Sequence, residues 1–324
     1  MADDTKIEWA DDTVNPWWGC TKVSPACSNC YAESWDARWA KGEAHWGPTA
    51  PRKLRVERAI LDLQRIARRS DKEGRPRRVF IASMSDFFED RPDLVEPRKS
   101  IWEVLHELAG DSPRITPLLL TKRPDVMAAW ADEHGWPGGA WAGTTVEDQR
   151  RADERIPHLL RVPARVRFLS CEPLLEPVDL GRAICRTCHG QGWVDSLAGR
   201  HGCETCGEVG AWGDPADGIG WVIVGGESGP GARPMHPAWA RSLRDQCQEA
   251  GVAFHFKQWG AWVEVDPSEG REGDWWSLPA PLGLVPFIEG DGQWYQAPLM
   301  RRVGKKAAGR LLDGREWSEV SDAR

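Results

Sequence analysis

Three cysteines stand close together near the start of the chain, Cys20, Cys27 and Cys30, in the arrangement C-x6-C-x2-C. Thiolates are soft ligands, and three of them on a [4Fe–4S] cube leave one iron open to an external ligand. Reductive cleavage of S-adenosylmethionine needs such an iron: the methionine amine and carboxylate chelate it while an electron enters the sulfonium. The competing assignment is a zinc site completed by a distant residue such as Cys171 or a histidine, because structural zinc takes four protein ligands. A second group, Cys185-x2-Cys188 followed after fourteen residues by Cys203-x2-Cys206, supplies four thiolates from two knuckles. That spacing predicts a closed tetrahedral site for structural Zn2+, with an auxiliary iron–sulfur cluster as the redox-active alternative. Of the remaining cysteines, Cys247 falls on the apolar stripe of a helix and reads as core. Cys171 sits alone at a strand end, where a thiol would donate a hydrogen atom to a carbon radical or be a buried small hydrophobe.

These groups need a scaffold that gathers strand ends. Short β-rich runs recur at Arg78–Asp86, Pro117–Pro124, Ala140–Asp148, Arg165–Leu174, Gly220–Gly229 and Val252–Gly260, each ending in polar or glycine residues. Helical periodicity marks Leu54–Ser70, Glu96–Gly110 and Pro237–Ala250, the last opening on proline and stopping at Gly251. With a first strand before Cys20, about seven β/α units follow, so the expected fold is α/β, a full or partial TIM-like (β/α) barrel. Its chemistry belongs at the C-terminal strand ends. The barrel is expected to span 1–260. The cysteine-rich metal-binding insertion lies within it at 180–217, and a β-rich C-terminal cap rich in Trp, Gly and Pro at 261–324.

The segment Trp9–Glu33 (WADDTVNPWWGCTKVSPACSNCYAE) resembles the signature of the phage-associated three-cysteine family related to radical-SAM enzymes. Val222–Trp239, Phe256–Gly260 and Gly304–Trp317 are similar to its later blocks, so the likeness spans nearly the whole chain. The resemblance implies a partial TIM-like barrel, a [4Fe–4S] cluster on Cys20, Cys27 and Cys30, and S-adenosyl-L-methionine. One departure is the first cysteine gap, six residues where radical-SAM enzymes usually have three. Strand order then puts Ser83, Ser85 and Asp86 against the methionine amine, and Thr144, Thr145 and Glu147 against ribose or carboxylate, groups of suitable hydrogen-bonding type. Gly225, Gly226 and Glu227 resemble a glycine-rich turn that lets the backbone approach an adenine or substrate. Spore photoproduct lyases, relatives at superfamily level, use a cysteine as hydrogen donor, which makes Cys171 the catalytic candidate.

The substrate is less legible. The 324 residues carry 42 basic and 49 acidic side chains, net −7, so overall charge does not advertise nucleic acid. Locally, Arg52–Arg78 holds eleven Lys/Arg against four carboxylates. A basic face of that kind tracks phosphates, with Arg52, Lys53 and Arg55 near the cysteines and Lys122 and Arg123 at a strand end as contacts. Twenty tryptophans include Trp17, Trp18, Trp35, Trp39 and Trp46 around the cysteine loop, positioned to stack on unpaired bases or to fill the core. The leading expectation is a radical-SAM enzyme acting on DNA, in its sharpest form a lyase-type repair of UV pyrimidine photoproducts or else a base modification, served by a reductase or flavodoxin-type electron donor. Alternatives are radical chemistry on a nucleotide, RNA or peptide, and a non-enzymatic zinc-dependent module that binds nucleic acid or docks a partner protein. With 41% hydrophobic residues a real core forms. No run approaches the roughly 18 apolar residues of a membrane helix, and Met1–Trp9 is unlike a signal peptide, so a cytoplasmic protein with no membrane contact is expected.

Overall fold

In the computed structural model, residues 5, 7–40, 42–184, 193–196, 199–202, 218–265, 275–277 and 299–321 are described. Seven runs form one parallel sheet: β1 (Asp12–Val14), β2 (Arg77–Ile81), β3 (Ile115–Thr121), β4 (Trp141–Thr145), β5 (Arg167–Cys171), β6 (Trp221–Gly225) and β7 (Ala253–Gln258). Each pairs in parallel with the next in chain order, and β1 and β7 stand at opposite ends of the series. The sheet curls into a half barrel, so the expectation of a partial TIM-like α/β fold holds. Every residue of β4, β5 and β6 is buried, as a parallel sheet covered on both faces requires.

Crossovers supply the outer layer. α1 (Tyr31–Trp39) and α2 (Val56–Glu73) join β1 to β2, and α3 (Val95–Leu108) leads to β3. α4 (Pro124–His134) and α5 (Gln149–Leu160) lead to β4 and β5, and α6 (Pro237–Ala250) to β7. The periodicity that marked α2 buries Ala59, Leu63, Ile66 and Ala67, and the helix stops at Gly74, left-handed at φ 68°. α6 starts on Pro237 with the His236 ring accepting from Ala238 N, and ends at left-handed Gly251.

Alternation along the strands gives the two faces different contents. Val79, Ile81, Leu119, Leu169, Val222, Val224, Phe254 and Phe256 face the helices. Phe80, Leu118, Trp141, Phe168, Trp221 and Ile223 fill the inner face, with Trp9 laid across them. Ring centroids there lie 4.8 Å apart for Trp9–Phe80, 5.7 Å for Phe168–Trp221 and 5.9 Å for Trp141–Trp221. A fully buried ring of this kind contributes about 1.5–3 kcal/mol. Three of the twenty tryptophans, Trp9, Trp141 and Trp221, therefore plug the half barrel.

Between β5 and β6, Trp193–Ser196 pairs antiparallel with Gly199–Gly202; Cys185, Cys188, Cys203 and Cys206, the expected zinc ligands, lie outside the described residues. Beyond β7, the strands β8 (Trp262–Val265), β9 (Trp275–Ser277) and β10 (Leu299–Arg302) form an antiparallel sheet with β10 in the middle. After α7 (Lys305–Ala308) the chain returns along β7: Phe256 N donates to Trp317 O at 2.9 Å and Glu319 N to Phe254 O at 3.2 Å. That strip covers an edge strand that would otherwise offer unpaired backbone. Among the described residues no helix is long and apolar enough to cross a membrane.

Candidate functional site

The C-terminal ends of the strands open on a cavity of about 480 Å³. Cys20, Cys27 and Cys30 all line it, together with Ser83, Ser85, Asp86, Lys122, Arg123, Thr145, Gly226 and Glu227 from the sequence-predicted set. The cysteine loop begins after β1 at Gly19, whose φ of 105° favours glycine and where a Cβ would meet His45 O at 2.2 Å. A 3-10 turn over Pro25–Cys27 follows, and Cys30 is the N-cap of α1.

Polar contacts pin this loop to successive strand ends. Gly19 N donates to Met84 O at 3.1 Å and the Tyr31 hydroxyl to Ser83 O at 2.6 Å, both just past β2. Arg123, past β3, donates to Thr21 O at 2.8 Å; Ala26 N reaches Glu147 Oε1, past β4, at 3.4 Å. Asn29 donates to Glu227 Oε2, past β6, at 2.9 Å, and Arg233 to Pro25 O at 3.0 Å. The three thiols are free. All three belong to the cavity lining, although among the described residues no three His, Cys, Asp or Glu side chains converge as a metal-ligating group. The donor set is of the type an iron–sulfur cluster takes: three partly buried thiols of one loop belong to the cavity lining, and the other described cysteines, Cys171 and Cys247, are buried elsewhere.

Electrostatics favour a positively charged guanidinium beside Cys20. Burial, then the Asp86 carboxylate, pushes the Cys20 thiol up to about 12, against the lowering influence of Arg123, whose Nη1 lies 3.9 Å from Sγ. Asp86 accepts from Arg123 Nη1 at 2.8 Å, Thr121 Oγ1 at 2.6 Å, Phe88 N at 3.0 Å and Lys122 N at 3.1 Å. Burial alone would raise its pKa; Arg123 and these donors outweigh that and hold it below the usual carboxylate range. Asp86 is thus held by Arg123 at the cavity wall. Ser83 donates to Asn15 Oδ1 and Ser85 to Trp17 O, while their residues still border the cavity.

Other expected contacts are placed differently. Thr144 is buried and donates to Thr121 O at 2.9 Å, behind the cavity-lining Thr145. Glu147 is fully buried in an ion pair with Arg155 at 2.7 Å, so it holds the cysteine loop from beneath. Gly225 packs against Glu172, and Gly226 and Glu227 form the cavity wall beyond it. Arg52, expected at phosphates, is instead interior: its donors go to Glu89, His45 O, Ala50 O, Gly47 O and Thr21 Oγ1. Six arginines of the basic run are engaged but share three carboxylates: Arg58 and Arg65 pair with Asp62, Arg69 and Arg77 with Asp12, and Arg75 and Arg78 with Asp11. Lys53 and Arg55 remain outside, over the Trp18 ring at 5.3 and 5.1 Å. Trp17, offered as a stacking surface, is buried against Phe87.

Cys171 is the largest correction. On β5, Ser170 and Glu172 line the cavity, so period-two alternation turns Cys171 to the helical side, where it is completely buried in the outer core. Burial raises its thiol pKa well above the ordinary value. It is not among the residues that line the cavity. Cys171→Ala is expected to cost about 1 kcal/mol, as the loss of a small buried group does. Urea denaturation followed by circular dichroism checks this, and no measurable loss would show the site to be less tightly packed than its burial indicates.

Sequence reading missed Glu172, Lys257 and Lys305, all on the cavity wall, with Lys257 Nζ 3.0 Å from Glu172 Oε1. Alternation held the signal for two of them: Phe254 and Phe256 face the helices, so Lys257 faces inward, as Glu172 does beside Cys171.

Fold and site define an α/β half-barrel protein with a three-cysteine cavity at its strand ends. Residues 4–321 match the family described as Protein of unknown function (DUF5131), and the chain belongs to that family. No curated protein matches it in sequence. Similar solved structures include a spore photoproduct lyase variant with bound AdoMet and dinucleoside spore photoproduct, 12% identical, with a TM-score of 0.38. Another variant of that lyase, bound to the dinucleoside spore photoproduct, is 13% identical with the same TM-score. In each case 53% of this chain and 48% of the other are covered, so the chain spans about half the length of the structures it resembles.

Proposed function

We propose that this protein is a radical-SAM-type enzyme whose Cys20, Cys27 and Cys30 would hold a [4Fe–4S] cluster in the cavity. The observation that carries this reading is that all three free thiols of one short loop line a single cavity at the C-terminal ends of a parallel half barrel. When bound, the cluster and S-adenosylmethionine supply an electron and a 5′-deoxyadenosyl radical. The chain's own residues position the loop through Arg52, Arg123, Glu147 and Glu227, and Arg123 puts positive charge beside Cys20. Ser83, Ser85 and Thr145 border the space in which the cofactor's polar groups would sit. The buried aromatic plug beneath excludes water from the floor.

A nucleic-acid substrate, up to lyase-type repair of a UV pyrimidine photoproduct in DNA, is favoured by one surface feature. Trp35 and Trp39 are 46% and 60% exposed on α1, next to Trp18 and its two cations. Rings and cations so arranged stack on unpaired bases and meet phosphates.

The test is anaerobic reconstitution followed by metal analysis and EPR of the dithionite-reduced protein. About four iron and four acid-labile sulfide per chain are expected, with a reduced-cluster signal that shifts when S-adenosylmethionine is added. Cys27→Ala should lose the iron and the signal while circular dichroism shows the fold retained. Zinc in place of iron and sulfide, with Cys27→Ala unfolded, would sink the proposal.

A further inference from the structure

Of the three loop cysteines, Cys20 has charged company. Its Sγ lies 3.9 Å from Arg123 Nη1, and the thiol itself donates to Thr21 O at 3.5 Å. A thiolate on iron has no proton to donate, which leaves the guanidinium as the polar partner of that sulfur. Cys27 Sγ meets the Ser24 hydroxyl at 3.9 Å. Among the described residues no guanidinium or ammonium stands within hydrogen-bond distance of the Cys27 or Cys30 sulfur. Lys22 is paired with Glu33 at 2.6 Å and is 45% exposed, where water and salt screen it.

Arg123 is fixed in that place. Its Nη2 donates to Thr21 O and its Nη1 to Asp86 Oδ2, both at 2.8 Å. Asp86 is fixed in turn by Thr121 Oγ1, Phe88 N and Lys122 N. Glu89 lies 4.0 Å from Arg123 but is bound by Arg52 at 2.7 Å. The Arg123 and Asp86 side chains are only 12% and 8% exposed, so their charges act on a neighbouring sulfur with much less screening than surface charges would. Both are felt at Cys20: after burial, Asp86 raises its thiol pKa, and Arg123 lowers it.

We propose that Arg123 and Asp86 set, in opposite senses, the reduction potential of the cluster that Cys20 helps to hold. Reduction adds one electron, supplied by dithionite in the test below, and makes the cluster with its thiolates more negative. A cation hydrogen-bonded to a ligand sulfur favours that change, and a carboxylate nearby opposes it. Both are positioning residues that act through Cys20 rather than on a substrate. The inference rests on the proposed [4Fe–4S] cluster and deepens it by assigning the side chains that govern how readily the electron enters.

The test is an anaerobic redox titration of the reconstituted full-length protein, followed by EPR, with dithionite and mediator dyes and without S-adenosylmethionine. Arg123→Gln is expected to disfavour the reduced cluster at least about tenfold, a shift of about 59 mV to lower potential for one electron. Asp86→Asn should favour it by about the same factor, a shift to higher potential. Arg123→Lys keeps the charge and should stay closer to the parent than Arg123→Gln. The double variant Arg123→Gln, Asp86→Asn should return close to the parent, which a merely loosened loop would not do. Circular dichroism and iron content accompany every variant; if Arg123→Gln loses the cluster, Asp86→Asn alone decides. Iron-loaded single variants that both titrate within about threefold of the parent, or both shift the same way, overturn the inference. A parent that takes up no iron and sulfide overturns the cluster reading and the inference with it, so the two failures are told apart by the parent's metal content.

Discussion

Replacing Arg52 with methionine is expected to destabilise the protein by about 3–5 kcal/mol, the effect of breaking a buried ion pair by removing one partner. Glu89 is 2% exposed, and Arg52 holds both of its carboxylate oxygens, at 2.7 and 2.8 Å. Without the guanidinium a buried carboxylate is left without its main counter-ion; Arg123, at 4.0 Å, is already committed to Asp86. The same side chain donates to the carbonyls of His45, Gly47 and Ala50 and to Thr21 Oγ1, so its loss also releases the segment behind Cys20. Urea denaturation followed by circular dichroism measures the first effect, and iron content after reconstitution the second. The double variant Arg52→Met, Glu89→Leu should recover much of the stability, because no buried charge remains, but not the anchoring of Thr21. A single variant within 1 kcal/mol of the parent would show the pair to be solvated and the account of Arg52 mistaken.

Gly226→Ala is expected to cost about 3 kcal/mol or more, at the upper end of overpacking effects. A Cβ there would lie 2.0 Å from Trp259 O and 2.7 Å from Trp259 C, both backbone, so the ends of β6 and β7 must separate. Neighbouring Gly225 offers the control. Its Cβ would meet Glu172 Oε1 at 2.6 Å, the movable tip of a side chain. Gly225→Ala should therefore cost only about 1 kcal/mol, taken from the Glu172–Lys257 pair, at the low end of the same range. Thermal melts of the two variants check the difference. Equal losses would mean that backbone crowding does not decide this position.

The half barrel was legible because its signals are local. Strand ends in SMSD, TKRP and KQWG, and the helical stripe of α2, need no knowledge of the rest of the chain. The cysteine loop was legible for the same reason: its three residues are neighbours in sequence, and one cavity receives all of them. What failed was pairing over distance. The run of arginines after Arg52 reads as free charge until β1 brings Asp11 and Asp12 beside it, and Arg52 meets Glu89 only across the fold. Cys171 failed by one residue of phase, a displacement that in a strand exchanges the two faces. The tryptophans divide likewise: Trp9, Trp141 and Trp221 are plug, Trp35 and Trp39 are surface, and composition does not distinguish them.

The strip that runs back along β7, with Trp317 and Glu319 as its bonded points, bears on how the protein is made. A ribosome delivers the seven strands in spatial order, each beside the one before it, so the sheet extends like a fan opened from β1. The newest strand is always the bare one. After β7 emerges, that bareness persists while β8, β9 and β10 are translated, until the covering strip follows them. Translation of the sheet is therefore finished well before its flank is sealed. A polypeptide stopped in that interval carries every strand of the half barrel yet keeps an adhesive margin, and quality-control machinery meets it as an unfinished product rather than a shorter functional one.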